Sequence, residues 1–244
     1  MIENSIITKM MMKEIKKNKF IKVKNNLMIS KISNSSFLKS LKVNNKILKY
    51  DLIILCAGNN SDLVNNLFSK KLIKYSYKEV SYTTIIQHSF IKNAIARQVF
   101  LNDEILAFLP ISNTRTSIVW TVKNNLYKKN NSILKKKIKF YSKNFLKKIK
   151  FKTKIECRNL NFLIRNKIYH DRILLFGDAL HLVHPFAGQG FNMTLRDLSC
   201  LENVLIEKKL LGLDIGSDEV LSEFAKKIQP RNFVYATGID LIKK

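Results

Sequence analysis

The chain is poor in the residues that usually interrupt regular structure, with seven glycines and three prolines among 244 residues. No glycine precedes Gly58. Three of the seven glycines, Gly177, Gly188 and Gly190, lie with Pro185 in one short stretch. Glycine allows backbone conformations that other residues avoid, and proline fixes one. The stretch around residues 177–190 is therefore the first candidate for a functional loop.

Cysteine is also scarce, and long apolar runs are absent. Cys56, Cys157 and Cys200 lie far apart, and no pair has the spacing of a zinc or redox motif. We therefore expect a reducing, cytoplasmic location, with peripheral attachment to a membrane as an alternative. No run of 18 apolar residues occurs, so the sequence predicts no membrane-spanning helix.

Acidic residues are few: 18 stand against 44 basic ones, which gives a formal net charge of +26. Such a charge suits an anionic partner, either a membrane surface or nucleic acid. A general preference for Lys, Ile and Asn along the chain explains the same balance without any partner. Neither a zinc knuckle nor a basic-aromatic RNA-binding motif is present, so nucleic acid is the weaker alternative. The Lys-rich residues 124–154 have helical periodicity and are the best candidate for a basic amphipathic face, although an ordinary surface helix is the favoured interpretation.

The sequence predicts α/β structure at both ends of the chain, with an antiparallel β-sheet inserted between them. Short strands separated by polar breaks predict this sheet over residues 82–122, and continuous apolar runs at 52–56 and 173–176 predict strands buried on both faces. The other predicted elements are helices at 6–17, 189–206, 218–228 and 231–242, and a strand–turn–strand at 20–32. We expect three segments: residues 1–78 and 157–244 in one domain, and residues 79–156 in the inserted domain.

The candidate loop combines two chemical features. Asp178 places a carboxylate at the end of a buried strand, where ligands bind in open α/β sheets. A helix begins near Gln189, so its free N–H groups favour negative charge in the preceding loop. A flavin suits this pair, because its hydroxyls need a carboxylate and its reduced ring carries negative charge. His181 and His184 have no evident third ligand, so a metal site is disfavoured.

The segment GDALHLVHPFAGQGFNMTLRD, residues 177–197, resembles the second FAD-binding motif of the aromatic-ring flavoprotein monooxygenases. The narrower match, through His184-Pro185 and the Ala-Gly-Gln-Gly of residues 187–190, is to the ubiquinone-biosynthesis hydroxylases. Three other segments resemble the family in the same order: YDLIILCAGNNSDLV, ILAFLPISNTRTSIVWT and EFAKKIQPRNFVYATGIDLI.

The resemblance implies an oxidoreductase with a three-layer, Rossmann-like FAD-binding domain and an inserted antiparallel substrate domain. It implies FAD as cofactor, NAD(P)H as electron donor and hydroxylation of a prenylated phenol. His184 and Pro185 would lie nearest the reacting face of the flavin, with no certain catalytic residue. The implied cofactor-binding residues are Gly58, Gly177, Asp178, Pro185, Gly188, Gln189, Gly190 and Asn192.

The chain departs from the family in ways that keep alternatives open. The opening βαβ unit with its Gly-x-Gly-x-x-Gly loop is absent, and the chain stops near the family's last helices. Ala57 and Val64 stand where the family has Asp and Arg. The alternatives are a non-catalytic remnant, one piece of a split flavoprotein completed by an N-terminal polypeptide, or a basic membrane-surface or nucleic-acid-binding protein.

Overall fold

The computed structural model describes residues 4–35, 37–44, 46–59, 61–68, 72–123, 130–185 and 189–243. The chain divides into two compact units. The first comprises Met1–Val23 and Ser76–Leu160, and the second comprises Lys24–Tyr75 and Asn161–Lys244. The assignment of residues 79–156 to a substrate domain stays a prediction.

The described residues form five α-helices, thirteen short or long strands and one 3-10 turn. The helices are α1 (Asn4–Lys17), α2 (Asp62–Leu67), α3 (Asn131–Ser142), α4 (Gln189–Leu210) and α5 (Asp218–Lys243). The strands before α3 are β1 (Ile29–Ser35), β2 (Leu38–Val43), β3 (Lys46–Tyr50), β4 (Ile53–Leu55), β5 (Leu72–Gln87), β6 (Arg97–Leu101), β7 (Glu104–Ser112) and β8 (Arg115–Lys123). After α3 come β9 (Lys150–Phe151), β10 (Glu156–Arg165), β11 (Tyr169–His170), β12 (Ile173–Leu175), the 3-10 turn (Gly177–Ala179) and β13 (His181–Leu182).

The first unit is built on the predicted antiparallel sheet, in which β5, β8, β7 and β6 are neighbours in that order. Alternate residues of these strands face a core that α3 covers with Leu134 and Ile138. Trp120 is fully buried in this core, and its indole N–H donates to Glu104 at 2.9 Å. Trp120 is therefore a core residue.

The second unit contains two three-stranded sheets. One is the antiparallel meander β1-β2-β3, and the other has the order β11-β12-β4. In the latter, β4 and β12 run parallel, with Ile53 beside Ile173 and Leu55 beside Leu175. The second unit's core joins these strands to apolar residues of α2, α4 and α5. This mixture of parallel strands, helices and antiparallel sheet confirms the expected α/β fold class.

Several predicted elements differ from those observed. Residues 20–28 form no strand, and the meander begins at Ile29. The Lys-rich helix ends at Ser142 rather than near 154, because Lys148 adopts a positive φ of 55° and Phe151 pairs with Ile86 of β5. The two predicted C-terminal helices are one, since α5 continues through Pro230.

The buried faces also differ in two elements. Strand β4 is buried on one face only, because Ile54 is 41% exposed between buried Ile53 and Leu55. Helix α4 was expected to bury Leu195, Leu198, Leu201 and Leu205. It instead buries Met193, Asp197, Leu201 and Val204, while Leu195 and Leu198 are about half exposed. None of the described helices is long and apolar enough to cross a membrane.

Candidate functional site

Two predicted site glycines follow neighbouring parallel strands. Gly58 comes after β4 and Gly177 after β12, and both adopt positive φ, 76° and 63°. The Phe176 N–H donates to the Leu55 carbonyl at 3.0 Å, so β4 and β12 stay paired up to their carboxyl ends. The structure therefore brings both glycines to the carboxyl edge of one small sheet, where open α/β sheets bind ligands.

Asp178 lies in the tight 3-10 turn that follows Gly177. The Leu180 N–H closes this turn on the Gly177 carbonyl at 2.8 Å. The Asp178 side chain is exposed and makes no hydrogen bond to another described residue. A carboxylate held on a rigid turn, with its acceptors free, is suited to receive hydroxyl donors from a ligand.

The start of α4 lies against the Gly177 turn. A Cβ on Gly177 would be 3.9 Å from Cγ2 of Thr194, and one on Gly190 would be 3.7 Å from Cγ2 of Val183. Gln189 and Gly190 are partly buried, and Asn192 is exposed. Gly188 lies outside the described residues. The first N–H groups of this 22-residue helix have no intrahelical acceptor, so they favour an anionic group at the site.

The two residues predicted nearest the reacting face differ in exposure. Pro185 is exposed, whereas His184 is 3% exposed. Their placement against a flavin stays a prediction. His181, the other histidine of the motif, points to a carboxylate rather than a metal. Its Nε2 lies 2.9 Å from Oδ2 of Asp197.

Asp197 is the centre of a buried polar cluster that the sequence did not reveal. It is 1% exposed and accepts from three residues. Besides His181, Asn232 donates to its Oδ2 at 2.8 Å and Arg231 donates to its Oδ1 at 3.0 Å. These bonds join β13 to α4, and both to α5. Arg196, the preceding residue in α4, lies over the ring of Tyr235 at 4.4 Å.

Arg165 is the second residue that sequence analysis missed. Its guanidinium is buried and donates to the Ala179 carbonyl at 2.9 Å and the Phe68 carbonyl at 2.6 Å, while a third bond reaches Oδ1 of Asn65 at 3.0 Å. Burial lowers the pKa of Arg165 from its usual value. Arg165 therefore fastens the turn that carries Asp178 to the helix that follows the Gly58 turn.

The sequence contains a weak indication that Asp197 and Arg165 are buried. Asp197 stands four residues after Met193 and four before Leu201, on the face of α4 that is otherwise apolar. Arg165 ends an apolar run, Phe162–Leu163–Ile164, at the close of β10. A charged residue at a position with core periodicity indicates a buried ion pair or hydrogen-bond cluster, but not its partners.

The residues present suit a flavin nucleotide. The free carboxylate of Asp178 matches a polyhydroxyl chain, and the amino end of α4 matches the electron-rich edge of a reduced ring. Gly58 and Gly177 adopt the positive φ that the two tight turns require, and as glycines they add no side chain there. Among the described residues, no group of three or more His, Cys, Asp or Glu side chains could hold a metal ion.

Comparison with known proteins agrees with this chemistry. The family model described as an FAD binding domain matches residues 60–210. The ubiquinone biosynthesis monooxygenase COQ6 of Xenopus tropicalis is 26% identical over 231 residues, covering 79% of this chain and 50% of that protein. The 3-demethoxyubiquinol 3-hydroxylase of Escherichia coli is 26% identical over 202 residues, covering 80% and 51%. The chain thus spans about half the length of the curated relatives it matches.

Solved structures show the same fold. PqsL, a probable FAD-dependent monooxygenase from Pseudomonas aeruginosa, superposes with a TM-score of 0.78 at 14% identity, over 96% of this chain and 67% of that one. HpxO of Klebsiella pneumoniae, solved with FAD, gives a TM-score of 0.66 at 13% identity over 87% of this chain and 57% of that chain. These matches and the family model confirm the resemblance and the fold class drawn from the sequence.

Proposed function

The chain belongs to the FAD-binding domain family, and we propose that it forms part of an FAD-dependent monooxygenase that hydroxylates a prenylated phenol in ubiquinone biosynthesis. The observation that carries the proposal is that the Gly58 turn and the Gly177–Asp178 turn follow two paired parallel strands, with the start of α4 packed near Gly177. The names of the relatives supply the substrate class, and NAD(P)H is the proposed electron donor.

Each part of the edge has a role in this proposal. Asp178 accepts hydrogen bonds from the hydroxyls of the cofactor's ribityl chain, and the first N–H groups of α4 stabilise negative charge on its ring. Bound FAD would supply the redox chemistry and the activation of O2. Pro185, Gln189 and Asn192 would contact the flavin ring, hold it in one orientation and exclude water from it.

The proposal places the pyrophosphate of FAD against residues other than these 244, because no glycine-rich loop precedes Gly58. We propose that a βαβ unit, from a separate polypeptide or another part of a longer chain, completes the site beside β4. Strand β4 pairs with β12 on one side, and no other described strand pairs with its second edge. Ile54 on this strand, and Leu195 and Leu198 on α4, are about half exposed, which leaves apolar surface for such a unit to cover.

A membrane surface is the proposed place of action. Helix α3 exposes Lys136 and Lys139 beside Phe140, which is 59% exposed. An exposed aromatic ring among lysines suits the headgroup region of an anionic bilayer. Sedimentation with anionic vesicles that fades with added salt supports this placement, and equal sedimentation with zwitterionic vesicles contradicts it.

FAD titration tests the proposed function. The chain is titrated with FAD alone and with an added polypeptide that carries a Gly-x-Gly-x-x-Gly βαβ unit, and flavin fluorescence is followed. We expect saturable binding at least in the second case, weakened about tenfold or more by Asp178→Asn, because charge-assisted hydrogen bonds to hydroxyls are lost. Asp218→Asn, at the exposed start of α5, is the matched control and should bind as the unchanged chain does. Absence of FAD binding in both cases overturns the proposal.

A further inference from the structure

A cavity of about 350 Å³ lies on the second unit between helices α4 and α5. Residues three or four apart share one face of a helix. The cavity is accordingly lined by Arg196, Ser199 and Asn203 of α4, and by Lys227 and Arg231 of α5. None of the described residues in its wall is acidic. The wall therefore presents three cationic side chains, together with a hydroxyl and an amide that also donate hydrogen bonds.

The carboxylates near these cations neutralise them only in part. Arg231 donates to Asp197 at 3.0 Å, but Asp197 is 1% exposed and does not line the cavity. Lys227 lies 2.7 Å from Glu223, which also pairs with Lys208 at 2.8 Å. Because one carboxylate serves two lysines, positive charge remains beside the cavity.

Both guanidinium groups of the wall keep unused hydrogen-bond donors. The Nε–H of Arg231 is buried and has no partner among the described residues. The Arg196 guanidinium lies over the ring of Tyr235, and no described residue accepts a hydrogen bond from it. A buried donor without an acceptor costs free energy. A ligand with several acceptor oxygens would supply the acceptors that the protein lacks here.

We propose that this cavity binds a phosphate group carried by a soluble small molecule. The negative charge and acceptor oxygens of a phosphate match the cations and donors of the wall, and arginine binds phosphate through paired N–H groups. The apolar residue of the wall, Val204, is buried, so the wall offers no exposed apolar group to enter a bilayer. A soluble source is therefore favoured over a lipid headgroup.

This site is separate from the one proposed for the flavin ring. Arg196 lies two turns beyond Gln189, about 10 Å along α4 at about 1.5 Å per residue. The inference does not rest on the proposed function, because it depends only on the facing sides of α4 and α5.

Thermal melting of the full chain in millimolar inorganic phosphate tests the inference. Chloride replaces phosphate at constant ionic strength in the reference, because a net charge of +26 attracts any anion. We expect phosphate to raise Tm by at least about 2 °C. Lys227→Gln removes one cation of the wall and should abolish most of this rise. Lys226→Gln, the matched control, removes an equal charge from the adjacent exposed residue outside the wall and should keep the rise.

Each variant is compared with itself in chloride, so a change in its basal stability does not affect the result. The amino end of α4 also attracts anions, so the decisive quantity is the difference between the two variants. An equal rise in both variants would mean an adventitious ion only and overturns the inference. Absence of any rise in the unchanged chain overturns it as well.

Sedimentation with vesicles of phosphatidic acid and phosphatidylcholine tests the source of the phosphate group. We expect Lys227→Gln and Lys226→Gln to bind these vesicles equally, because the cavity takes a soluble ligand. Weaker vesicle binding by Lys227→Gln alone would assign the phosphate group to a lipid headgroup and overturn the soluble source.

Discussion

His181 and Asp197 meet in the interior of the second unit, with Nε2 and Oδ2 2.9 Å apart and both residues almost fully buried. The pair joins β13 to α4. Arg231 and Asn232 add two donors from α5 to the same carboxylate. A buried carboxylate with three donors is costly to disturb, because the buried side chains of His181 and Asn232 would lose their acceptor.

Replacement of this carboxylate should therefore destabilise the protein strongly. We expect Asp197→Asn to lower the free energy of unfolding by about 3 kcal/mol, since Arg231 and His181 lose a charged acceptor. Urea denaturation measures the change. Glu202→Gln, on the exposed side of the same helix, is the control and should stay within about 0.5 kcal/mol of the unchanged chain. A similar small effect for both variants would show that the cluster contributes little.

Arg165 should be as sensitive to substitution, for a different reason. Arg165→Met keeps the apolar part of the side chain but leaves the carbonyls of Phe68 and Ala179 without their donor. We expect a loss of at least about 2 kcal/mol, because buried unpaired acceptors are costly. Arg158→Met, in the same strand with a side chain 79% exposed, should have almost no effect in the same denaturation experiment. Equal stability of the two variants would contradict the role given to Arg165.

Two glycines should respond to alanine in opposite directions. Gly177 has a φ of 63°, so Gly177→Ala should cost about 1 kcal/mol although no atom lies closer than 3.9 Å to the new Cβ. Gly238 lies inside α5 with nothing within 4 Å of a new Cβ, so Gly238→Ala should stabilise the helix by up to about 1 kcal/mol. Thermal melting compares them. If the Gly177→Ala protein melts at the same temperature as the unchanged chain, the positive φ assigned to Gly177 is contradicted.

Glu223 should make stability depend on acid pH. Hydrogen bonds from Lys208 and Lys227 lower the pKa of Glu223 from 4.5 to about 2. A carboxyl whose pKa is lower in the folded state stabilises the protein above its unfolded pKa, and this contribution is lost as pH falls from 4.5 towards 2.

Glu223→Gln should consequently lower the melting temperature at neutral pH and low salt, with the difference shrinking below pH 4.5. The effect should be modest and should fade with added salt, because the group is exposed. Glu219→Gln, at the exposed start of α5, provides the comparison. A difference that persists unchanged at pH 2 would contradict the assigned ion pairs.

The sequence by itself determined the parts that depend on local pattern. The clustered Gly177, Asp178 and Gly190 predicted a turn between a buried strand and a helix, and the structure has β12, the 3-10 turn and α4 at these positions. Short strand-like segments separated by polar breaks over residues 82–122 predicted the antiparallel sheet. Such features follow from local backbone preferences and from the spacing of apolar residues. Both depend on residues that are close together in the sequence.

Only the tertiary structure decided which residues meet. Arg165 reaches Phe68 across 97 positions of sequence, and Arg231 reaches Asp197 across 34. Helical period also misjudged the buried face of α4. The neighbours of Asp197 supply its hydrogen bonds and make a charged residue stable in the interior, while Leu195 and Leu198 stay about half exposed. Burial of a polar group depends on partners brought together by the fold, and a one-dimensional pattern does not contain them.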